Sequence, residues 1–306
     1  MLPFISSGWR EHREVRRNAK EILHYLSVDI GERTIRRSEN LQRTRRFLIE
    51  WFRRYGVEPR EDTYVASGEE VANITAEIPG TEHAAGIILI GAHYDTIEGT
   101  PGADDNASGI AALLEIFRLL SGRRYRRSLR FVAFTLEEPP FFSTDLMGSM
   151  VYAKMCRKRN DRIELMVCLE MLGFASPHCK QDYPLNHNYK EFPKCGSYIS
   201  VISLPSCSEY AYLWKHAYNK RARNKIYEYI GPASIPGMSL SDHMSFIRSG
   251  YPAIMISDTG FYRNKHYHTS EDTIDTINFD FLAEVIISSA AALADLLDRD
   301  ILCESC

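Results

Sequence analysis

The sequence predicts an α/β fold: a mixed, mostly parallel central sheet with helices on both faces. Three observations carry this. Short apolar runs recur at Gly86–Ile90, Leu129–Leu136 and Glu164–Leu172, the pattern of strands buried on both faces. Between them lie stretches with apolar residues three and four apart, as in Ala107–Leu120, where Ile110, Leu113, Leu114 and Phe117 share one face; strands alternating with helices imply parallel pairing. Finally, 306 residues at 44% hydrophobic suffice to bury a large core.

The elements follow in order. Glu11–Tyr25 and Leu41–Tyr55 open the chain as helices. The second carries Leu41, Leu48, Trp51, Phe52 and Tyr55 at helical spacing and stops at Gly56. Asp62–Val65 and Val71–Ile78 read as a hairpin joined by Ala66-Ser67-Gly68 and closed by Pro79-Gly80. After the strand Gly86–Ile90 and the helix Ala107–Leu120 come the strand Leu129–Leu136, the helix Thr144–Lys158 and the strand Glu164–Leu172. Ser197–Leu204, Glu209–Ala222, Ser241–Ser249, Ala253–Ser257 and Asn278–Asp298 continue the rhythm. Phe174–Tyr198, polar and rich in aromatics and proline, reads as an irregular excursion near the site. With no repeat or linker, residues 1–306 are read as one catalytic domain with helices 11–55 packed on it.

A net charge of -3 gives no broad attraction to nucleic acid or membrane, and the apolar runs fall far short of the ~20 residues of a membrane span. The first sixty residues are basic, with fourteen Lys or Arg against eight Asp or Glu. Apolar residues interleave at helical spacing through Arg10–Lys20 and Arg33–Arg54, so these cations read as solvated outer faces of helices. Met1–Gly8 is short and runs straight into the charged Arg10–Arg17, unlike a secretory leader, so a cytoplasmic protein is expected. Seven cysteines form no regular framework, and Cys303 and Cys306 are a lone Cys-x-x-Cys without a second ligand pair.

Five segments carry chemistry, each at or near a strand end, where open α/β sheets gather ligands. His93 follows the strand Gly86–Ile90, and Asp95 stands ready to fix its tautomer. Gly102-Ala103-Asp104-Asp105-Asn106-Ala107-Ser108-Gly109 precedes a helix. A cap explains one acid there, but two adjacent acids repel unless a cation joins them. Glu137 and Glu138 close the strand Leu129–Leu136, and strand alternation points them to opposite faces, one to hold a metal and one to move a proton. Glu170 sits inside a hydrophobic strand, where a carboxylate is costly unless paired. His268 lies in the loop Tyr267–Thr273 before the last helix. Two imidazoles and three carboxylates suit Zn²⁺, with Mn²⁺ or Co²⁺ as substitutes, and exceed what one open zinc takes; two metals are expected.

GAHYDT at 91–96, GADDNASG at 102–109, FTLEE at 134–138, LEMLGF at 169–174, SDHMSF at 241–246 and YHTSEDT at 267–273 together resemble the co-catalytic zinc aminopeptidase family. That family includes bacterial leucyl aminopeptidases and glutamate carboxypeptidase, with glutaminyl cyclases as cousins. The resemblance implies a two-zinc hydrolase that removes N-terminal amino acids from peptide or aminoacyl substrates. Asp105 would bridge the metals, His93 and Glu170 complete one, and Glu138 and His268 the other. Glu137 would be the general base, Asp95 the partner of His93, and Tyr267 a group that polarises the scissile carbonyl. It also implies a cis peptide at Asp105–Asn106. Asp242 and His243 fall in a segment lining the site or act as a helix cap. The sequence departs from the family in its longer connection Pro139–Met147, which reshapes the pocket, and in having Glu rather than Asp at 170. The alternatives are a one-zinc acyltransferase of the glutaminyl cyclase kind and an inactive binding protein of the same fold.

Overall fold

The computed structural model describes residues 3–184 and 192–299; Cys303, Cys306 and part of the excursion Phe174–Tyr198 lie outside them. Eight strands form one sheet in the order β1-β2-β4-β3-β5-β8-β6-β7. They are β1 (Arg60–Ala66), β2 (Glu69–Ile78), β3 (Ile87–His93), β4 (Ser128–Phe134), β5 (Ile163–Glu170), β6 (Tyr198–Ser203), β7 (Lys225–Ile230) and β8 (Ala253–Ser257). Pairing is parallel for β4–β3, β3–β5, β5–β8 and β6–β7, and antiparallel for β1–β2, β2–β4 and β8–β6. The mixed, mostly parallel sheet is as expected.

Alternation along the central strands divides the core. Ile88, Ile90, Phe131, Val167 and Ile254 face one way. They pack under α1 (Pro3–His24), α2 (Ser38–Arg54), α3 (Gly109–Leu120), α5 (Ser208–Asn219) and α7 (Phe279–Asp298). Leu89, Val132, Phe134, Met166 and Met255 face the other way, under α4 (Gly148–Arg159) and the short α6 (His243–Arg248). Gly91 is required on this second face, because a Cβ there would lie 2.3 Å from the Phe134 ring. Among the described residues no helix is long and apolar enough to cross a membrane.

Three differences from the sequence reading bear on the site. Strand β4 ends at Phe134, and Leu136 takes φ 53°, so Glu137 and Glu138 lie on a reversed turn and strand alternation does not separate them. The helix expected from Thr144 begins at Gly148, because 139–147 form successive turns with a cis Pro139–Pro140 bond. Strand β7 carries no strong apolar run: it is a half-buried edge strand, and Lys-Ile-Tyr-Glu-Tyr-Ile mixes charge with aromatics.

Candidate metal centre and active site

Sheet register assembles the centre. Gly91 pairs with Cys168, so two residues further on His93 and Glu170 stand level on adjacent parallel strands, on the same face. His93 Nε2 lies 3.4 Å from a Glu170 oxygen and 3.3 Å from Asp105 Oδ1. The other Asp105 oxygen is 3.2 Å from His268 Nε2, which lies 3.3 Å from Glu138. Asp105 is therefore the shared corner of two three-residue sets, His93–Asp105–Glu170 and Asp105–Glu138–His268; within each set the donor atoms all lie within 4.8 Å of one another. Glu137 reaches to 4.0 Å from His93 Nε2.

Buried carboxylates hold the ligand-bearing loops by their main chains. Asp95 accepts hydrogen bonds from the amides of Glu137 and Glu138, both 3.0 Å, one on each oxygen. Its carbonyl and carboxylate lie 3.2 and 3.5 Å from His93 Nδ1, so Asp95 orients the imidazole as well as the acid pair. Asp272 grips the neighbouring loop in the same way, accepting from Asp104 N at 2.9 Å and Asp105 N at 3.0 Å. Asn106 and Ser108 tie that loop to the end of β5 through Leu169 O, Met171 N and Leu172 N. The Asp105–Asn106 peptide is cis, as expected. Asp104 points away from the metal sets and accepts from Gly173 N and Asn264, both 2.8 Å.

The charges are mutually dependent. Burial would lower His93, but Glu170 and Glu137 beside it and the bond to Asp105 hold it well above its ordinary value. Burial is likewise overcome at His268, where Asp105 and Glu138 raise the imidazole to about 10. Burial opposes ionisation of Asp105, yet hydrogen bonds from both imidazoles bring it below the usual carboxylate range. Burial, with the charge of Asp105, pushes Glu138 up to about 7, and burial raises Glu137 and Glu170. Around an ionised Asp105, two imidazoles and three carboxylates pushed toward their protonated forms, four of these five groups buried and His268 half-buried, with Glu138 Oε1 left without a hydrogen-bond partner among the described residues, fit divalent cations.

The structure thus brings together His93, Asp105, Glu138, Glu170 and His268, with Glu137 beside them and Asp95 behind. Tyr267 stacks on the His268 ring at 3.7 Å between centroids and lines the cleft. Asp242 is buried at the start of α6 and makes no cap bond with its side chain, and burial pushes its carboxyl up to about 7. His243 Nε2 lies 3.0 Å from Met238 O, and burial lowers the imidazole to about 4, a neutral structural histidine. Sequence reasoning missed Asp272, which stood inside the motif at 267–273 but carried no signal of its own. It also misplaced Arg33, expected in a solvated face and found fully buried behind the site. Beside the acids opens a cleft with an apolar wall that includes Phe142, Ile202, Tyr229, Met238, Leu240 and Met255.

A sheet of this order with two carboxylate–imidazole sets sharing one aspartate defines the class of a metal-dependent hydrolase. The profile of peptidase family M28 matches residues 73–292, and the chain belongs to that family of metallopeptidases. It is 34% identical over 276 residues to the uncharacterized protein YfbL of Escherichia coli, covering 87% of this chain and 84% of that one. A probable leucine aminopeptidase of Trichophyton verrucosum is 27% identical over 232 residues, 69% of this chain and 54% of the relative. The chain spans about half the length of such curated leucine aminopeptidases. Its fold matches BSAP, a zinc aminopeptidase from Bacillus subtilis, with a TM-score of 0.74 at 15% identity, covering 93% of this chain and 95% of that one. It also matches a glutaminyl cyclase of Porphyromonas gingivalis at 0.68 and 22% identity, covering 92% and 98%. At these identities the structural likeness is one of fold.

Proposed function

We propose that this chain is a two-zinc aminopeptidase removing apolar N-terminal residues from peptides. The observation that carries the reading is Asp105, whose two oxygens face two separate histidines, each completed by a further carboxylate. The Bacillus subtilis relative is a zinc aminopeptidase, and zinc agrees with this mixed nitrogen–oxygen donor set. When bound, the metals supply Lewis acidity and bring a water's pKa toward ~7.

The chain's own groups perform the rest. Glu137, beside both metal sets, takes one proton from the attacking water as its oxygen bonds to the scissile carbonyl carbon. It returns that proton to the amide nitrogen as the C–N bond breaks, and the water's second proton leaves the new carboxyl group for solvent, giving a carboxylate and a free amine. Asp95 holds the Glu137 and Glu138 amides in place through the reaction. In this reading Tyr267, half-buried against His268 and lining the cleft, donates to the developing oxyanion. Carboxylates at the cleft's end offer counter-charge to a free α-amine, and the apolar wall takes the side chain beside it.

The test is a panel of aminoacyl substrates, with free and acetylated amines, assayed with zinc and after chelation. Turnover of Leu, Met and Phe substrates, lost on chelation or acetylation and restored by zinc, is expected. Absence of turnover with zinc bound would contradict the proposal. Cyclisation of an N-terminal glutamine by a one-zinc protein would establish the cyclase reading that the second fold match raises.

A further inference from the structure

Arg33 is 0% exposed, yet none of its side-chain hydrogen bonds ends on a carboxylate. Nε donates to Tyr94 O at 2.8 Å. Nη1 reaches Leu26 O and Gly31 O at 3.0 Å and Pro101 O at 2.8 Å, and Nη2 donates to Gly102 O at 2.9 Å. Tyr94 follows the ligand His93, and Gly102 stands three residues before the ligand Asp105. Main-chain contacts reinforce the docking: Arg33 N donates to Thr96 Oγ1 at 3.0 Å, and Thr96 N to Arg33 O at 3.3 Å. Gly102 has φ 57°, and a Cβ on it would lie 2.3 Å from Asp105 O, 2.4 Å from Thr96 Cγ2 and 3.0 Å from Arg33 Nη2. The loop is thus closed tightly onto the guanidinium.

A leucine or methionine would fill this space without the cost of burying a charge. The planar guanidinium does what neither can: it spans carbonyls of two loops at fixed angles. Burial pulls it down to about 10 against the raising effect of Asp272, Asp95, Asp105 and Glu138, so it is charged at neutral pH. Asp95 holds the Glu137–Glu138 turn and Asp272 the Asp104–Asp105 loop by their amides; Arg33 holds the chain after His93 and before Asp105 by carbonyls.

We infer that Arg33 is a positioning residue for the metal centre: it binds the His93 and Asp105 loops together from behind and so sets the separation on which metal affinity depends. This rests on the two-metal reading above. Two effects of the side chain have opposite signs. Its geometry favours metal binding, whereas its positive charge, taken alone, opposes a cation. Geometry dominates in this account.

The test uses the full chain with Arg33→Lys and Arg33→Met, reading zinc affinity by chelator competition, kcat and KM on a leucyl substrate, and melting of the metal-free protein. Both variants are expected to fold and to bind zinc about 10–100-fold more weakly, the range for groups that orient ligands. kcat should fall in parallel, while KM moves less than about threefold because Arg33 does not touch substrate. Lysine, which keeps the charge without the fork, should not restore the parental affinity. Parental affinity and kcat in both variants, whatever their melting temperatures, would overturn the inference. So would tighter zinc binding by Arg33→Met, which would make charge the dominant effect. Failure of both variants to fold under saturating zinc would make Arg33 a folding residue and equally overturn it. A parent protein that binds no zinc would remove the functional reading itself, whereas parental affinity in the variants removes only the role of Arg33.

Discussion

The two halves of the candidate metal centre are built by different means. His93 and Glu170 are the last residues of neighbouring parallel strands, and the ladder that pairs Gly91 with Cys168 fixes their spacing. Glu138 and His268 stand on turns: Leu136, two residues before Glu138, has φ 53°, His268 has φ 57°, and the His268 side chain is 26% exposed against 1% for His93. The strand-borne half inherits its geometry from the sheet. The loop-borne half depends on Asp95 and Asp272 holding amides in place. In the proposed two-metal site one position would thus be rigid and the other more yielding, with Asp105 coupling them.

The largest expected effect separates two adjacent acids on one turn. Glu137→Gln keeps size and one acceptor but cannot take a proton, and should cost about 10²–10⁴ in kcat with zinc content and melting temperature near parental. Glu138→Gln removes a charged ligand and should weaken zinc binding together with rate. Loss of zinc in the first variant and retention in the second would reverse the assigned roles. Next in size, His268→Ala should leave one metal held by His93, Asp105 and Glu170, while His93→Ala should weaken both positions, because what remains stands on loops. Zinc counted per chain in each variant checks this, and the opposite order would break the contrast between the halves.

A smaller effect follows from protonation. Without metal, burial would lower His268, but the hydrogen bonds it donates to Asp105 and Glu138 outweigh that and hold it at about 10. The stability of that pairing is complete below the unfolded value of ~6.5 and is lost as pH rises through about 10. Metal must displace this proton, so zinc affinity should rise between pH 7 and 9 by about tenfold per unit for each proton released. The rise in melting temperature on adding zinc should grow over the same interval. Chelator competition at three pH values measures it, and a flat profile would remove the His268 proton from the account.

Most strands and helices were legible from periodicity, and four of the five proposed ligands stood out beside it: Glu170 inside an otherwise hydrophobic run, His93 and Glu138 after such runs, Asp105 between glycines; His268, in a polar loop, was carried by the family resemblance. The turns were not. Leu136, Met171, Thr259 and His268 adopt positive φ without glycine, so no residue type announced that β4 stops at Phe134 and turns both glutamates inward. Arg33 was hidden for a related reason. It begins a run of arginines whose later members Arg36 and Arg53 have largely exposed side chains, and periodicity cannot show that one cation of such a run is bonded to main-chain carbonyls across the fold. Asp272 followed Ser270 and Glu271 in a polar loop that looked uniform.

In the proposed function Asp105 joins two cations. Anomalous diffraction at the zinc edge from crystals of active protein tests it directly. Two peaks ~3.5–4 Å apart, the usual spacing in two-metal hydrolases, are expected, one beside His93 and Glu170, the other beside Glu138 and His268, with Asp105 between them. A single fully occupied peak in active protein, or peaks remote from Asp105, would contradict it.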